Sequence, residues 1–200
     1  MRKIITLVLL AMVLAVHAQS SAQARKVLDK VAAVVGRPGG VSAQFTISMG
    51  KGQSLSGSIA IKGRKFYAST RRGKVWYDGR TQWSYLKATN EVNISSPTEA
   101  QQARMNPYQF LSVYTSGYRL SMKRSGRGYV VTMKATSKAR AMKTIIVTVS
   151  SRYVPVKVQC QQGGRWTTIN LSHFQAKNQS DATFRFSKKK CPGAEVIDLR

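Results

Sequence analysis

Seven carboxylates, two histidines and two cysteines are all that this 200-residue chain offers for acid–base, nucleophilic or metal chemistry. Asp29, Asp78, Glu91, Glu99, Asp181, Glu195 and Asp198 are scattered, and no two share the local signature of a general acid paired with a general base. A Ser-His-Asp arrangement would need His173, which stands beside Phe174 on an expected strand and reads as structural there. Zinc wants four nitrogen or sulfur ligands at close spacing; His173, Cys160 and Cys191 fall short of that. Gly36, Gly39 and Gly40 follow a helix and do not lead from a strand into one, which excludes a phosphate loop. The expectation is therefore no enzyme activity, no cofactor and no metal. In an oxidising compartment Cys160 and Cys191 would pair. That disulfide would close a loop of roughly thirty residues, worth about 3–4 kcal/mol; the alternative is two buried free thiols.

The first eighteen residues suggest that compartment. Arg2 and Lys3 precede an apolar run from Ile4 to Val16, and Val16-His17-Ala18 is a small-x-small cleavage site before Gln19. The run is too short for a membrane span, which needs roughly twenty residues. Residues 1–18 are expected to be a signal peptide, with Ala22 as a second position for the cut. No cysteine follows the cut, so a free, soluble periplasmic protein is expected, forming one domain over residues 19–200. Lys and Arg number 33 against 7 Asp and Glu, a net charge of +26 that falls to +24 once Arg2 and Lys3 are removed. Such a charge attracts anionic surfaces over long range. Nucleic acid is the usual partner inside a cell, but export removes it and no RNA-binding signature is present. Anionic lipid head groups and acidic polysaccharide remain.

The elements that would position these groups are mostly strands. Val27, Leu28, Val31, Ala32, Val34 and Val35 recur at helical spacing between Ala22 and Gly36, and Gly36 and Pro38 stop the helix. The period then becomes two. Val41, Ala43, Phe45, Ile47 and Met49 form a half-buried strand, followed by Leu55 to Ile61, Phe66 to Ala68 and Val75 to Tyr77. Asp78-Gly79 reads as a two-residue hairpin turn into Thr81 to Leu86, and Val92 to Ser95 follows. Pro97 interrupts the series. Thr98 to Met105 and Pro107 to Thr115 read as two short helices, the second capped by Asn106 with proline at its first position. Strands resume at Arg119–Lys123, Tyr129–Ala135, Lys143–Val149, Val154–Cys160, Trp166–Phe174 and Thr183–Phe186. About ten or eleven strands at this spacing suit a sandwich or barrel.

The order of these segments resembles the periplasmic outer-membrane lipoprotein carrier family, LolA-like. The resemblance rests on the helix leading into Val41-Ser-Ala-Gln-Phe-Thr and on the glycine-led strand Gly57-Ser-Ile-Ala-Ile-Lys. It rests also on the hairpin Trp76-Tyr-Asp-Gly-Arg-Thr-Gln-Trp-Ser-Tyr and on Asn106-Pro-Tyr-Gln-Phe-Leu. The ending, Phe184-Arg-Phe-Ser to Val196-Ile-Asp-Leu-Arg, looks most like the divergent Bacteroides-type branch. The resemblance implies an incomplete antiparallel β-barrel with an N-terminal helix and lid helices over a concave apolar face. It implies an acyl-chain cavity lined by Leu28, Val31, Phe45, Ile47, Met49, Ile59, Ile61, Phe66 and Trp83, under a lid carrying Met105, Phe110, Leu111 and Tyr114. By pattern alone the same faces would make a packed core. The family commonly has Lys-Arg-Pro after the glycine-led strand, whose arginine helps hold the lid; here Gly63 takes that place, and Arg64 is the substitute latch. The implied function is a monomeric carrier of lipoprotein acyl chains or a related lipid. Its implied partners are an inner-membrane release complex and an outer-membrane acceptor. The competing reading is a basic exported module that binds anionic envelope polymers or lipopolysaccharide on a solid core.

Overall fold

The computed structural model describes residues 20–49, 52–98, 101 and 113–200. Helix α1 spans residues 20–35. It buries Ala24, Val27, Leu28, Val31 and Val35, the stripe read from the sequence. Gly36 ends it, its N–H bonding to Ala32 O at 2.7 Å, and Gly40 turns the chain at φ 81°.

Twelve strands follow among the described residues, one or two more than expected: β1 (Val41–Ser48), β2 (Ser54–Lys62), β3 (Lys65–Thr70), β4 (Gly73–Tyr77), β5 (Gln82–Leu86), β6 (Glu91–Ser95), β7 (Tyr118–Ser125), β8 (Gly128–Ala135), β9 (Met142–Val149), β10 (Pro155–Gln162), β11 (Arg165–Gln175) and β12 (Glu195–Asp198). They form one sheet in the order β12-β6-β5-β4-β3-β2-β1-β11-β10-β9-β8-β7. The edge strands β12 and β7 do not pair with each other, so the sheet stays open. Every pairing is antiparallel except β12 with β6. The chain leaves β11 at one end of the sheet, crosses the outer face, and enters β12 at the end where β6 begins.

Alternation sorts side chains onto two faces. The inner face, under α1, gathers Val41, Ile61, Phe66, Tyr77, Leu120, Val131, Met133, Ile145, Val147 and Cys160 into the main core. On the outer face Trp76 and Val92 are buried beneath the C-terminal crossing, with Cys191, Phe186 and Ala194 against them.

Three expectations are corrected. Asp78-Gly79 is not a two-residue turn: residues 78–81 form the loop, and Asp78 Oδ1 accepts from the N–H groups of Arg80 (3.0 Å) and Thr81 (2.9 Å). Thr183–Phe186 is not a strand; Asp181–Phe184 is a 3-10 turn capped by Ser180, and the last strand is β12. Cys160 and Cys191 are free thiols, not a disulfide. Cys160 lies in the inner core and Cys191 in the outer cluster, with the sheet between them. Of the two helices expected after Pro97, only Thr98, Gln101 and 113–115 fall in the described residues; Val113–Thr115 is a 3-10 turn.

Candidate functional site

Between the end of α1 and the middle of the sheet lies an almost wholly apolar cavity of about 100 Å³. Val35 closes it from the helix. Val41 and Ala43 line it from β1, Ile59 and Ile61 from β2, Val158 from β10, and Leu171 and Phe174 from β11. Two irregularities shape this wall. On β11, Ser172 pairs with Gln44 but Gln175 pairs with Ser42, so His173 and Phe174 together oppose Ala43. His173 takes the extra residue at φ 50°. The bulge resets the alternation and turns Phe174 inward, on the side of Leu171. On β10, the register shifts between Pro155 and Lys157, which brings both Pro155 and Val158 to the cavity.

From the cavity a track of half-buried apolar side chains runs along the same face toward the β1–β2 turn. Phe45 pairs with Leu171 and Gly57, and Ile47 with Ile169 and Leu55. All five of these apolar side chains remain partly open to solvent. Gly57 is glycine because the Phe45 ring and the β3 backbone occupy the space above it. An added Cβ would lie 2.8 Å from Phe45 Cζ and 2.1 Å from Ser69 O.

The side chains expected to line the cavity divide into five groups. Ile59 and Ile61 line it; Phe45 and Ile47 form the track. Leu28, Val31 and Phe66 are packed solidly into the core. Met49 projects at the end of β1, 45% exposed. Trp83 is displaced to the other face: it pairs with Trp76 and belongs to the outer cluster, because β5 puts Gln82 and Ser84 inward and Trp83 outward. Val35, Val41, Ala43, Val158, Leu171, Pro155 and Phe174 were missed. The first five sit in the expected periodic pattern and could have been found there; Pro155 and Phe174 could not, since bulges break the period.

Of the expected lid, Met105, Phe110 and Leu111 lie outside the described residues. Tyr114 is buried in the core, and its hydroxyl donates to Asp29 Oδ1 of α1 at 2.5 Å. Arg64 sits in the β2–β3 turn beside Tyr77. Burial raises the Tyr77 phenol above its usual range, and the Arg64 guanidinium opposes that shift. Tyr77 Oη donates to Gly79 O at 2.8 Å.

His173 is exposed, with Nδ1 3.2 Å from Ser172 Oγ. Among the described residues no group of three His, Cys, Asp or Glu side chains could hold a metal, and no helix is long and apolar enough to cross a membrane. The described lining of the cavity and of the track is almost wholly apolar.

The sequence profile of a family described as outer membrane lipoprotein carrier protein LolA matches residues 14–164. The match ends in the β10–β11 turn. β11, which joins the two halves of the sheet, and the C-terminal crossing lie beyond it. No curated protein matches the chain in sequence. Among solved structures, an uncharacterized conserved protein from Thermus thermophilus superposes with a TM-score of 0.58 at 15% identity, over 88% of this chain and 99% of that one. A LolA superfamily protein from Nitrosomonas europaea gives 0.43 at 10% identity, over 82% and 97%. LprF from Mycobacterium bovis gives 0.46 at 9%, over 80% and 96%. The first of these shares the fold.

Proposed function

This chain belongs to the outer membrane lipoprotein carrier family LolA, and from that premise we propose that it shelters the acyl chains of a lipoprotein, or of a related lipid, and shuttles them across the periplasm toward the outer membrane. The observation that carries the reading is the apolar track of Phe45, Ile47, Ile169 and Leu171, which leads into a cavity on the helix side of an open sheet.

Each methylene taken out of water is worth about 0.8 kcal/mol, so an exposed acyl chain cannot cross an aqueous compartment alone. A cavity of about 100 Å³ is the share of roughly three water molecules. Ligand pockets run to several hundred Å³, so the described conformation takes only the end of a chain. A bound state requires apolar cover to move aside. In this reading the cover is the segment bearing Met105, Phe110 and Leu111, with Tyr114 at its end and Arg64 as its latch. Displacing it subtracts its own burial from the gain on binding, and the modest remainder lets an acceptor with a better pocket take the cargo. Transfer in this scheme is non-covalent. The release complex in the inner membrane and the acceptor in the outer membrane belong to the same proposal, as does export by residues 1–18.

The net charge of +26 supports one rival, capture of anionic envelope polymers on the surface. Salt separates the two, because surface capture weakens with ionic strength and acyl burial persists. The direct test is mass spectrometry of lipids extracted from protein purified from its native periplasm. Stoichiometric acylated species are expected. Their absence, together with failure to bind a fluorescent fatty acid at any salt concentration, overturns the proposal.

A further inference from the structure

Five hairpin connections meet at one end of the sheet. Taken across it they are residues 87–90 between β5 and β6, 71–72 between β3 and β4, 49 and 52–53 between β1 and β2, 163–164 between β10 and β11, and 136–141 between β8 and β9. Three of the five large apolar side chains exposed among the described residues stand at this rim: Leu86 (47%), Met49 (45%) and Trp166 (41%). Met49 and Trp166 are on adjacent strands, and Leu86 lies four strands away, about 20 Å at the usual strand spacing. The other two, Val156 and Leu199, lie toward the opposite end on strands far apart in the sheet.

At the same rim stand Lys87 beside Leu86, Arg71 and Arg72 between Leu86 and Met49, Arg165 beside Trp166, and Lys138 and Lys143 beyond it, all exposed. None of the six has a carboxylate partner among the described residues; the ion pairs found are Lys62 and Lys65 with Asp181, Arg185 with Asp78, and Arg200 with Asp198. The only described carboxylates at this rim, Glu91 and Glu195, are grouped at its β6–β12 corner.

The geometry points to this rim as a docking edge for an anionic lipid bilayer. Cations without a carboxylate partner are interspersed with apolar tips at one end of the sheet, which suits a surface that is negative at the headgroups and apolar just beneath. Lys and Arg within a Debye length of anionic lipid are attracted to it, and a tryptophan ring settles at the headgroup level. The rim also adjoins the open end of the apolar track. Ile47, Leu55 and Ile169 lie on the strand turns nearest the bilayer, and Ala43 and Ile59 at the cavity are about 13 Å further along β1 at the usual rise per residue. Only this last step, transfer of a chain from bilayer to track, rests on the carrier reading; docking stands without it.

The test is flotation of the mature protein with vesicles of equimolar phosphatidylglycerol and phosphatidylcholine, beside vesicles of phosphatidylcholine alone. Binding to the anionic vesicles only is expected, with a blue shift of tryptophan emission that Trp166→Phe removes. The triple variant Met49→Ser, Leu86→Ser, Trp166→Ser and the double variant Arg71→Ser, Arg72→Ser should each weaken binding by about tenfold or more. Arg124→Ser with Arg127→Ser, at the opposite end, should change it less than about twofold. Absence of flotation, equal binding to neutral vesicles, or equal loss from both ends overturns the proposal. A fluorescent fatty acid offered in solution reads the cavity separately. Rim variants that keep fatty-acid binding but lose flotation support docking, whereas flotation without fatty-acid binding by any form defeats the carrier reading alone.

Discussion

Tyr114 donates its hydroxyl proton to Asp29 across 2.5 Å, tying the residues just before β7 to the middle of α1. The ring itself is buried, and the Arg25 guanidinium lies 6.0 Å from its centroid. The helix is thus held at its solvent edge by a polar contact as well as at its apolar face. Tyr114→Phe keeps the ring and removes the bond. Because Asp29 is exposed, the loss should be modest, about 1 kcal/mol, read as a lowered midpoint in urea with an unchanged slope.

Gly57 has no room for a side chain. A Cβ would meet Ser69 O at 2.1 Å and Phe45 Cζ at 2.8 Å, and a backbone carbonyl in a paired strand cannot move aside cheaply. Gly57→Val should therefore cost about 2–3 kcal/mol by overpacking and swing the Phe45 ring out of the track. Urea denaturation reads the first effect. Loss of fatty-acid affinity beyond that of Phe45→Leu reads the second.

Cys160 and Cys191 should both titrate as thiols in denaturant without reductant. Native Cys160 should resist iodoacetamide. Burial pushes its thiol up to about 11, so at pH 8 almost none is thiolate. The sign of the linkage follows. A thiol whose folded pKa is raised contributes stability that is complete below the unfolded value near 9, and loses it as pH rises toward 11. Cys160→Ala should flatten the fall in stability between pH 9 and 11. Rapid alkylation of both thiols in the native protein at pH 8 would contradict the inner placement.

Much of this architecture was legible because it rests on period. The stripe on α1 and the alternation of β1, β2 and β8 to β10 are local signals that burial obeys. Trp83 was misread because alternation says which residues share a face but not which face looks inward. The phase of β5 is visible only from its partner: Tyr77 faces the inner core and pairs with Gln82, while Trp76 faces outward and pairs with Trp83. β12 was hidden for another reason. Glu195–Asp198 is four residues long and gains its place only from a parallel partner a hundred residues earlier. The cysteines misled because loop length says nothing about a sheet lying between them.

Phe174 gives the sharpest check on the cavity, since it reaches that wall only through the bulge at His173. Truncation by Phe174→Ala should lower stability by about 2–3 kcal/mol, less than for a fully enclosed ring because it is partly exposed. The same change enlarges the space beside Val158 and Leu171, so a carrier should bind a long-chain fatty acid more tightly. Val158→Phe fills that space from the neighbouring strand β10 and should abolish binding at a smaller cost in stability. The two variants can be compared by thermal unfolding with and without ligand. A ligand at about 100 times its dissociation constant stabilises the folded state by about 2.7 kcal/mol. The fatty acid should therefore restore most of the lost stability in Phe174→Ala and do nothing for Val158→Phe. If both variants respond to ligand as the parent does, the hydrocarbon is held somewhere other than under α1.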